Sequence, residues 1–420
     1  MISTKIKYII IFIIYFSNFC YSKYVPSARY GTSCVLDKNN NIIYFIGGES
    51  GGTKNCLNDF FYLTLPDSNM QPIFEEITEP PKEYCWSSLS LAEGGKKIYI
   101  FGGTNETIIF SYDLYGSKQW SIPKIDGIAP EGRNQFQTVS DNENNYLYIF
   151  GGEKNNKFFK DMNILNTKYS SWNNMMILGA QKIINVPYWA DYTAIMLSSG
   201  EIVYIGGRQS TSPNGLNVSF AKMNEIYVFN TKSSSWDIIN TSGNVPDSRI
   251  GHSAVLNSNN EIIVYGGASS EDLVTLATPD LVILSIASKP YQWIIPKVEN
   301  VPKSRSFHSA AIVGNFMITT FGYIAGTQNE TNLISILDFS DTTNVRWTSY
   351  DMIQASQTDK EETGLKETFI SQNLAVILGG TIGGVVVLSV IIVVTILLYK
   401  AWRSHSNMRG RHQLPSSQSS

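Results

Sequence analysis

A hydrophobic run that ends in a pair of glycines recurs along the chain, and it constrains the fold more than any other feature. The letters YIFGG occur at Tyr99–Gly103 and again at Tyr148–Gly152. Variants of the pattern end at Gly47-Gly48, Gly206-Gly207 and Gly266-Gly267, and a degenerate copy, TTFGY, ends at Gly322-Tyr323. The first glycines are 55, 49, 55, 60 and 56 residues apart. The sequence therefore predicts six copies of one structural unit.

Two further markers recur with the glycine pairs. A motif with proline and arginine lies 17 or 18 residues upstream in four copies, which read VPSAR, APEGR, VPDSR and VPKSR. A tryptophan follows in five copies, as Trp120, Trp172, Trp236, Trp293 and Trp347, and the first copy has Phe74 in that region. Because an indole ring buries a large area, we expect each tryptophan to pack on the neighbouring unit.

Each unit is predicted to contain four β-strands. In the fifth copy they are His252–Leu256, Glu261–Gly267, Asp280–Ile286 and Gln292–Pro296, which are rich in β-branched and aromatic residues. Six such units resemble the kelch superfamily, and residues 24–350 are similar to the propeller domain of galactose oxidase. The resemblance implies an all-β, six-bladed kelch propeller. It leaves open whether the N-terminus or the C-terminus supplies the last strand of the ring.

Both ends of the chain carry apolar segments typical of membrane targeting. Lys5 and Lys7 precede the apolar run Tyr8–Phe16, and small residues allow cleavage after Ser22. Leu374–Tyr399 holds 26 residues without a charge, longer than a membrane helix requires. The predicted organisation is a signal peptide at 1–22, a propeller ectodomain at 23–350, a polar stalk at 351–372, a transmembrane helix at 373–399 and a cytoplasmic tail at 400–420.

The charges beside the apolar segment predict its orientation. Lys400, Arg403, Arg409 and Arg411 follow it, which places the tail in the cytoplasm by the positive-inside rule. We expect a single-pass type I protein of the plasma membrane or secretory pathway, with the propeller outside or lumenal. Overlapping GxxxG patterns at Gly379, Gly380, Gly383 and Gly384 favour a homodimer through this helix.

Arginines are the candidate ligand-binding residues. Three positions past the repeat proline stand Arg29, Tyr84, Arg133, Ala190, Arg249 and Arg305, and Arg208 follows a glycine pair. In the resembling family, both segments lie on one face, so we predict that Arg29, Arg133, Arg208, Arg249 and Arg305 bind an acidic partner there. The alternative is that the repeated arginines are structural and bond to loop carbonyls.

Cysteines and sequons fit a secretory route. Cys56 and Cys85 fall on one face of adjacent blades, and we predict a disulfide between them. Cys34 replaces the alanine of a repeated inner strand, where a small buried residue fits. Sequons begin at Asn105, Asn217, Asn240 and Asn329, and we expect all four in loops on the same face.

The predicted function is an interaction module that binds a protein or glycan, without catalysis or cofactor. A net charge of −3 gives no reason to expect nucleic acid. The alternative is a carbohydrate or alcohol oxidase similar to galactose oxidase, with a lost or altered copper site. His252 and His308 occupy equivalent repeat positions, in RIGHSA and RSFHSA, so we predict no metal site there.

Overall fold

A computed structural model describes residues 24–51, 55–65, 72–103, 106–175, 185–271, 275–327, 329–341 and 344–350. Within these ranges the chain forms β-strands and no helix. The described residues accordingly contain no helix with the length and apolarity needed to cross a membrane. The predicted signal peptide, stalk, transmembrane helix and tail lie outside the described residues.

The strands form six units of four, which we call blades 1 to 6. Each blade is antiparallel, and its first strand is the innermost. The strands of blades 1 to 3 are Ser33–Asp37, Ile42–Ile46, Phe60–Thr64 and Ile73–Glu76; Ser87–Ala92, Lys97–Gly102, Phe110–Asp113 and Trp120–Ser121; Thr138–Asp141, Tyr146–Phe150, Met162–Asn166 and Ser171–Met175. Those of blades 4 to 6 are Thr193–Met196, Glu201–Ile205, Glu225–Asn230 and Ser235–Gly243; Ser253–Leu256, Glu261–Tyr265, Leu281–Ser285 and Tyr291–Ile294; Ser309–Val313, Phe316–Thr320, Ile334–Asp338 and Val345–Tyr350.

Shorter strands lie in the loops and between blades. Glu49–Ser50 pairs with Asn55–Cys56, and Glu153–Lys154 pairs with Lys157–Phe158. Tyr188–Ala190, Arg208–Ser210 and Ser219–Phe220 form a three-stranded sheet, and Arg305–Ser306 pairs with Tyr323–Ile324. Val298–Glu299 runs parallel to the outer strand of blade 6, and the outer strands of blades 4 and 5 join in parallel.

Within the described residues, the ring closes without an exchange of strands between its first and last blades. Blade 1 uses only strands that follow residue 32, and blade 6 uses only strands that precede residue 351. The two blades share one hydrophobic cluster, in which Phe45 and Phe61 of blade 1 pack with Phe321 and Ile336 of blade 6. Apolar packing therefore joins blade 1 to blade 6, without a strand shared between them.

A belt of hydrogen bonds joins the inner strands of neighbouring blades. Around the ring, the bonds are Ser33 Oγ to Ser87 O (2.5 Å), Thr138 N to Ser88 Oγ (2.7 Å), Ala194 N to Gln137 Oε1 (2.9 Å), Thr193 Oγ1 with His252 Nε2 (3.0 Å), Ser253 Oγ with His308 Nε2 (2.7 Å) and Ser309 Oγ to Thr32 O (2.6 Å). Every blade interface has at least one such bond. Polar side chains on or next to the inner strands thus bond to side chains or backbone groups of the neighbouring blade.

The repeated tryptophans lie on outer strands and pack on a neighbouring blade, as predicted; that blade is the preceding one. Trp236 of blade 4 meets Phe150 of blade 3 at 4.8 Å between ring centroids, and Trp347 of blade 6 meets Tyr265 of blade 5 at 4.7 Å. Phe74 fills the same role in blade 1 and reaches Phe321 of blade 6 at 6.4 Å.

The glycine pairs lie where a blade touches the next one. A Cβ on Gly47 would lie 2.0 Å from the carbonyl oxygen of Tyr84, and one on Gly266 would lie 2.3 Å from that of Arg305. The N–H of the second glycine donates across the same contact, for example from Gly48 to Tyr84 O at 2.8 Å. Close approach of two backbones therefore explains this motif.

In the sixth copy the predicted register is wrong by one residue. Gly322 donates to Arg29 O at 2.8 Å, which is the bond made by the second glycine of a pair. Phe321 then occupies the first position, and its φ of 65° matches the 68° of Gly266. The pair is therefore Phe321-Gly322 and not Gly322-Tyr323. The fully buried Phe321 ring joins the aromatic cluster that closes the ring.

Candidate functional site

The four repeat arginines lie inside the blades, so the prediction that Arg29, Arg133, Arg249 and Arg305 bind an acidic partner needs correction. Each has an exposed fraction of 3% or less. Their guanidinium groups donate to the carbonyl of the first residue of the glycine pair, at Gly47 (3.0 Å), Gly151 (2.9 Å), Gly266 (3.1 Å) and Phe321 (3.3 Å). Further bonds go to Asp59 from Arg29 and to Asp161 from Arg133. These four arginines are structural cross-links within blades 1, 3, 5 and 6.

In blade 4 a tryptophan takes the place of the arginine. Trp189 Nε1 donates to Gly206 O at 2.8 Å, the same contact that the arginines make. Its own carbonyl accepts from Gly152 N at 2.7 Å, the bond that the repeat position accepts in other blades. The repeat position is therefore Trp189 and not Ala190. An indole N–H replaces one N–H of a guanidinium at this site.

The entrance to the central channel is formed by one residue from each blade. These residues are Gly31, Trp86, Gln135, Asp191, Gly251 and Phe307, and all six have φ between 52° and 62°. We call them the mouth residues. Backbone bonds link five pairs of successive members, for example Trp86 N to Gly31 O at 3.0 Å and Gln135 N to Trp86 O at 3.1 Å. They line a cavity of about 220 Å³ together with the starts of the inner strands.

Four of the mouth residues are not glycine, although this backbone conformation favours glycine. A side chain there costs on the order of 1 kcal/mol. The rings of Trp86 and Phe307 lie over the glycines, 3.0 Å from where a Cβ on Gly31 or Gly251 would be. Since strained residues concentrate at ligand sites, the mouth is the strongest candidate site among the described residues.

One side of the mouth is aromatic. Trp86 meets Phe307 edge-on at 4.9 Å and Tyr30 at 5.4 Å, and Tyr30 stacks on Tyr323 at 4.1 Å. Glu49 lies among these rings and accepts hydrogen bonds from Tyr30 Oη and from Trp86 Nε1, the latter at 2.9 Å. Burial, followed by the bond to Glu49, raises the pKa of Tyr30, so that its hydroxyl is the donor.

The other side of the mouth is polar, and here Arg208 is found where the prediction placed it. Its guanidinium donates to Asp191 Oδ2 at 2.5 Å, to Gln135 Oε1 at 2.8 Å and to Glu153 Oε2 at 2.9 Å. Burial raises the pKa of Asp191, although the charge of Arg208 opposes the shift. Arg208 is 19% exposed and engaged by two carboxylates, so its charge is already matched within the protein.

The channel wall holds His252, His308 and Cys34. Each imidazole Nε2 is used in the belt between blades, and burial lowers the pKa of both histidines, that of His252 to about 3. Burial raises the pKa of the Cys34 thiol to about 12, and its Sγ donates to Ala310 O at 3.4 Å. Within the described part of the chain, no group of three or more His, Cys, Asp or Glu is placed to hold a metal ion.

The two cysteines of the predicted disulfide are joined. Cys56 and Cys85 form a disulfide, and their Cα atoms lie 5.1 Å apart. The bridge connects the loop hairpin of blade 1 to the residue before Trp86. It therefore fixes the position from which the Trp86 ring enters the mouth.

A peptide map checks this bridge in the protein as cells make it. We expect a non-reduced digest to contain one cross-linked species that joins the Cys56 and Cys85 peptides, because the cysteines are adjacent in the fold. Reduction should split it, and the Cys34 peptide serves as the free-thiol control. Recovery of Cys56 and Cys85 as alkylated free thiols would contradict the prediction.

Three of the four predicted sequons fall on described residues, and their asparagines are exposed: Asn217, Asn240 and Asn329. Asn217 and Asn329 lie in loops. Asn240 lies in the outer strand Ser235–Gly243 of blade 4, so its predicted loop position is wrong. Asn105 lies outside the described residues.

Sequence reasoning missed the mouth residues, although a signal for them exists. In RYG and RIG, a glycine follows two residues after the repeat arginine, at Gly31 and Gly251. The equivalent position in RNQ and RSF holds Gln135 and Phe307. Comparing the residue two positions after the arginine in these four copies identifies Gln135 and Phe307 as side chains that replace a glycine.

Comparison with known proteins agrees with this architecture. Residues 98–387, more than half of the chain, match the Attractin/LZTR1 beta-propeller family. Host cell factor 1 of Homo sapiens is 29% identical over 242 residues, which cover 54% of this chain and 11% of that protein. Kelch domain-containing protein 3 of Bos taurus is 27% identical over 266 residues, which cover 58% of this chain and 65% of that protein.

A solved structure shows the same fold. The structure of YjhT has a TM-score of 0.57 at 13% identity, and the match covers 79% of this chain and 99% of that one. At this identity the likeness concerns the fold alone. The chain spans about a tenth of host cell factor 1 and just under two thirds of Kelch domain-containing protein 3. Its six blades and the family match together show that the chain belongs to the Attractin/LZTR1 beta-propeller family and folds as a kelch-type β-propeller.

Proposed function

We propose that this propeller is a protein-binding module that uses the channel mouth as its contact surface. The observation that carries the proposal is that Trp86, Gln135, Asp191 and Phe307 occupy left-handed backbone positions at the entrance of the channel, where all six blades contribute a residue. The four side chains differ in size and charge, and the remaining two mouth positions are glycine. Such asymmetry on a rigid ring is what selective recognition requires.

The module acts outside the cell or in the lumen of the secretory pathway, on a single-pass anchor. The apolar segments at 8–16 and 374–399, the basic residues after the second segment and three exposed sequons support this placement. A disulfide at the mouth, between Cys56 and Cys85, fits an oxidising compartment.

The module works without catalysis. Its two propeller histidines are engaged in hydrogen bonds between blades and are held neutral by burial. The oxidase alternative would need them as ligands or as acid–base groups. We therefore favour binding over oxidation.

Replacing Trp86 and Phe307 together by glycine tests the contact surface. We expect the fold to persist, because blades 1 and 5 already have glycine at this position and because glycine relieves the backbone strain. The rings that form the aromatic side of the mouth are lost, so partner binding should fall at least tenfold. The measurement is proximity labelling on intact cells, with the labelling enzyme fused after Ser22 of the full chain.

A matched control uses left-handed residues at the opposite ends of the inner strands. Asn41 and Asn145 have φ of 53° and 61° in the turns after the first strands of blades 1 and 3. Their replacement by glycine should leave the labelled set unchanged. Equal labelling by wild type, mouth variant and a membrane-anchored control protein would overturn the proposed function.

A further inference from the structure

The residue after the glycine pair is a glutamate in blades 1 and 3, and the two carboxylates have different surroundings. Glu153 of blade 3 lies 2.9 Å from the Arg208 guanidinium. Glu49 of blade 1 receives only neutral donors, the hydroxyl of Tyr30 and the indole N–H of Trp86. Across the described ranges, no Lys, Arg or His lies within 4.0 Å of the Glu49 carboxylate.

A carboxylate in this position is costly without a cation. Glu49 is 7% exposed, so most of its hydration is lost. Neutral hydrogen bonds recover part of that loss, but an opposite charge recovers more where the local dielectric is low. Blade 3 shows how this protein meets the same need, since there Arg208 supplies a guanidinium. In blade 1 no described residue supplies such a counterion to Glu49.

The rings around Glu49 suit a cation as well. Trp86, Phe307 and Tyr323 are half-buried. Trp86 and Phe307 line the cavity, and Tyr323 stacks on Tyr30 beside them. The faces of aromatic rings attract guanidinium and ammonium groups, most strongly that of tryptophan. Three carboxylates lie at or beside the mouth among the described residues: Asp191 is a mouth residue, and Glu49 and Glu153 contact mouth residues or Arg208. They outnumber the guanidinium of Arg208.

We infer that the aromatic side of the mouth receives a basic side chain, arginine or lysine, from a protein partner, and that Glu49 is its counterion. The inference rests on the proposed function and names the chemistry of its ligand. The charge of this partner is opposite to that predicted from the arginine repeats. The arginines are bonded to carbonyls within the blades, whereas Glu49 has no cationic partner among the described residues and accepts a hydrogen bond from the half-buried Trp86.

The test uses the full chain in detergent and a fluorescent pentapeptide, Gly-Arg-Gly-Arg-Gly, with blocked ends. The matched probe has citrulline in place of arginine, which keeps the shape and removes the charge. We expect the arginine probe to bind at least tenfold more tightly than the citrulline probe. Equal affinity of the two probes would overturn the inference.

Variants of the protein locate the site. Glu49→Gln keeps the size of the side chain and removes its charge, and it should weaken the arginine probe at least tenfold. Glu76→Gln makes the same change on the exposed outer strand of blade 1 and should change nothing. Because Glu49→Gln alters two buried hydrogen bonds, its melting temperature is measured in parallel. Tyr323→Leu leaves both hydrogen bonds of Glu49 in place and should also lower the affinity for the arginine probe several-fold. Unchanged affinity in both Glu49→Gln and Tyr323→Leu would overturn the inference.

Proximity labelling separates failure of this inference from failure of the proposed function. Partners that are lost with the Trp86 and Phe307 glycine variant but retained with Glu49→Gln would overturn the inference and leave the proposed function standing. If wild type labels no partner at all, the proposed function fails, and the peptide assay then decides whether the mouth binds cations.

Discussion

Replacing Arg249 by alanine is expected to lower the free energy of unfolding by about 4 kcal/mol, near the upper end for a single substitution. The side chain is 0% exposed and donates to three backbone carbonyls, those of Gly266 (3.1 Å), Pro279 (2.9 Å) and Asp247 (3.2 Å). Alanine would leave these acceptors without a donor in a space that water fills poorly. Burial lowers the pKa of Arg249 to about 10, so the side chain is still charged at neutral pH.

Urea unfolding followed by tryptophan fluorescence measures this loss. Arg346→Ala is the matched control, because Arg346 is 60% exposed and pairs with Glu299 at 3.2 Å on the surface. It should cost less than about 1 kcal/mol. Arg249→Lys should fall between the two, because an ammonium on a single stem cannot reach all three carbonyls. A loss below 1 kcal/mol for Arg249→Ala would show that these bonds do not stabilise the blade.

The fold was predictable because its determinants repeat. Glycine pairs, outer-strand tryptophans and hydrophobic runs recur at a nearly constant spacing, and each has one physical role in every blade. The strands of blade 5 begin and end within two residues of their predicted limits. Errors arose where a copy departs from the pattern. Phe321 adopts the left-handed backbone conformation that glycine adopts at the equivalent position of the other five blades. Trp189 makes the hydrogen bond that an arginine makes in four other blades.

The role of the arginines was harder to predict, because repetition does not tell which way a side chain points. A motif that occurs in four blades suits a ring of ligand contacts and also a ring of internal cross-links. The distinction depends on the carbonyl of the first residue of each glycine pair, whose direction is set by the left-handed backbone there. The mouth residues escaped notice for the opposite reason. Their identity varies between blades, so no repeat pattern marks Trp86 or Asp191.

Acidification from pH 7 to pH 5 is expected to reduce the stability of the propeller by about 4 kcal/mol through His252 and His308. Burial, followed by the charge of Arg249, lowers the pKa of His252 to about 3, and burial with the charge of Arg305 lowers that of His308 well below its ordinary value. In the unfolded chain both titrate near 6.5. Below pH 6.5 the two histidines take up protons in the unfolded chain but stay neutral in the folded chain. The free energy of unfolding therefore decreases as the pH is lowered. At pH 5 the difference is about 2 kcal/mol for each histidine.

The double variant His252→Gln and His308→Gln isolates this contribution. Glutamine can still bond to Thr193 and Ser253 across the blade interfaces, but it takes up no proton. Asp280 and Asp191 have raised pKa values because of burial, so their protonation stabilises the folded chain as pH falls and opposes the loss. Their contribution is common to wild type and variant and cancels in the comparison. Urea unfolding at pH 7 and pH 5 should therefore show a loss that is about 4 kcal/mol smaller in the variant. Equal losses would mean that the folded chain can protonate both histidines, and that the belt of hydrogen bonds opens at a lower cost than its burial indicates.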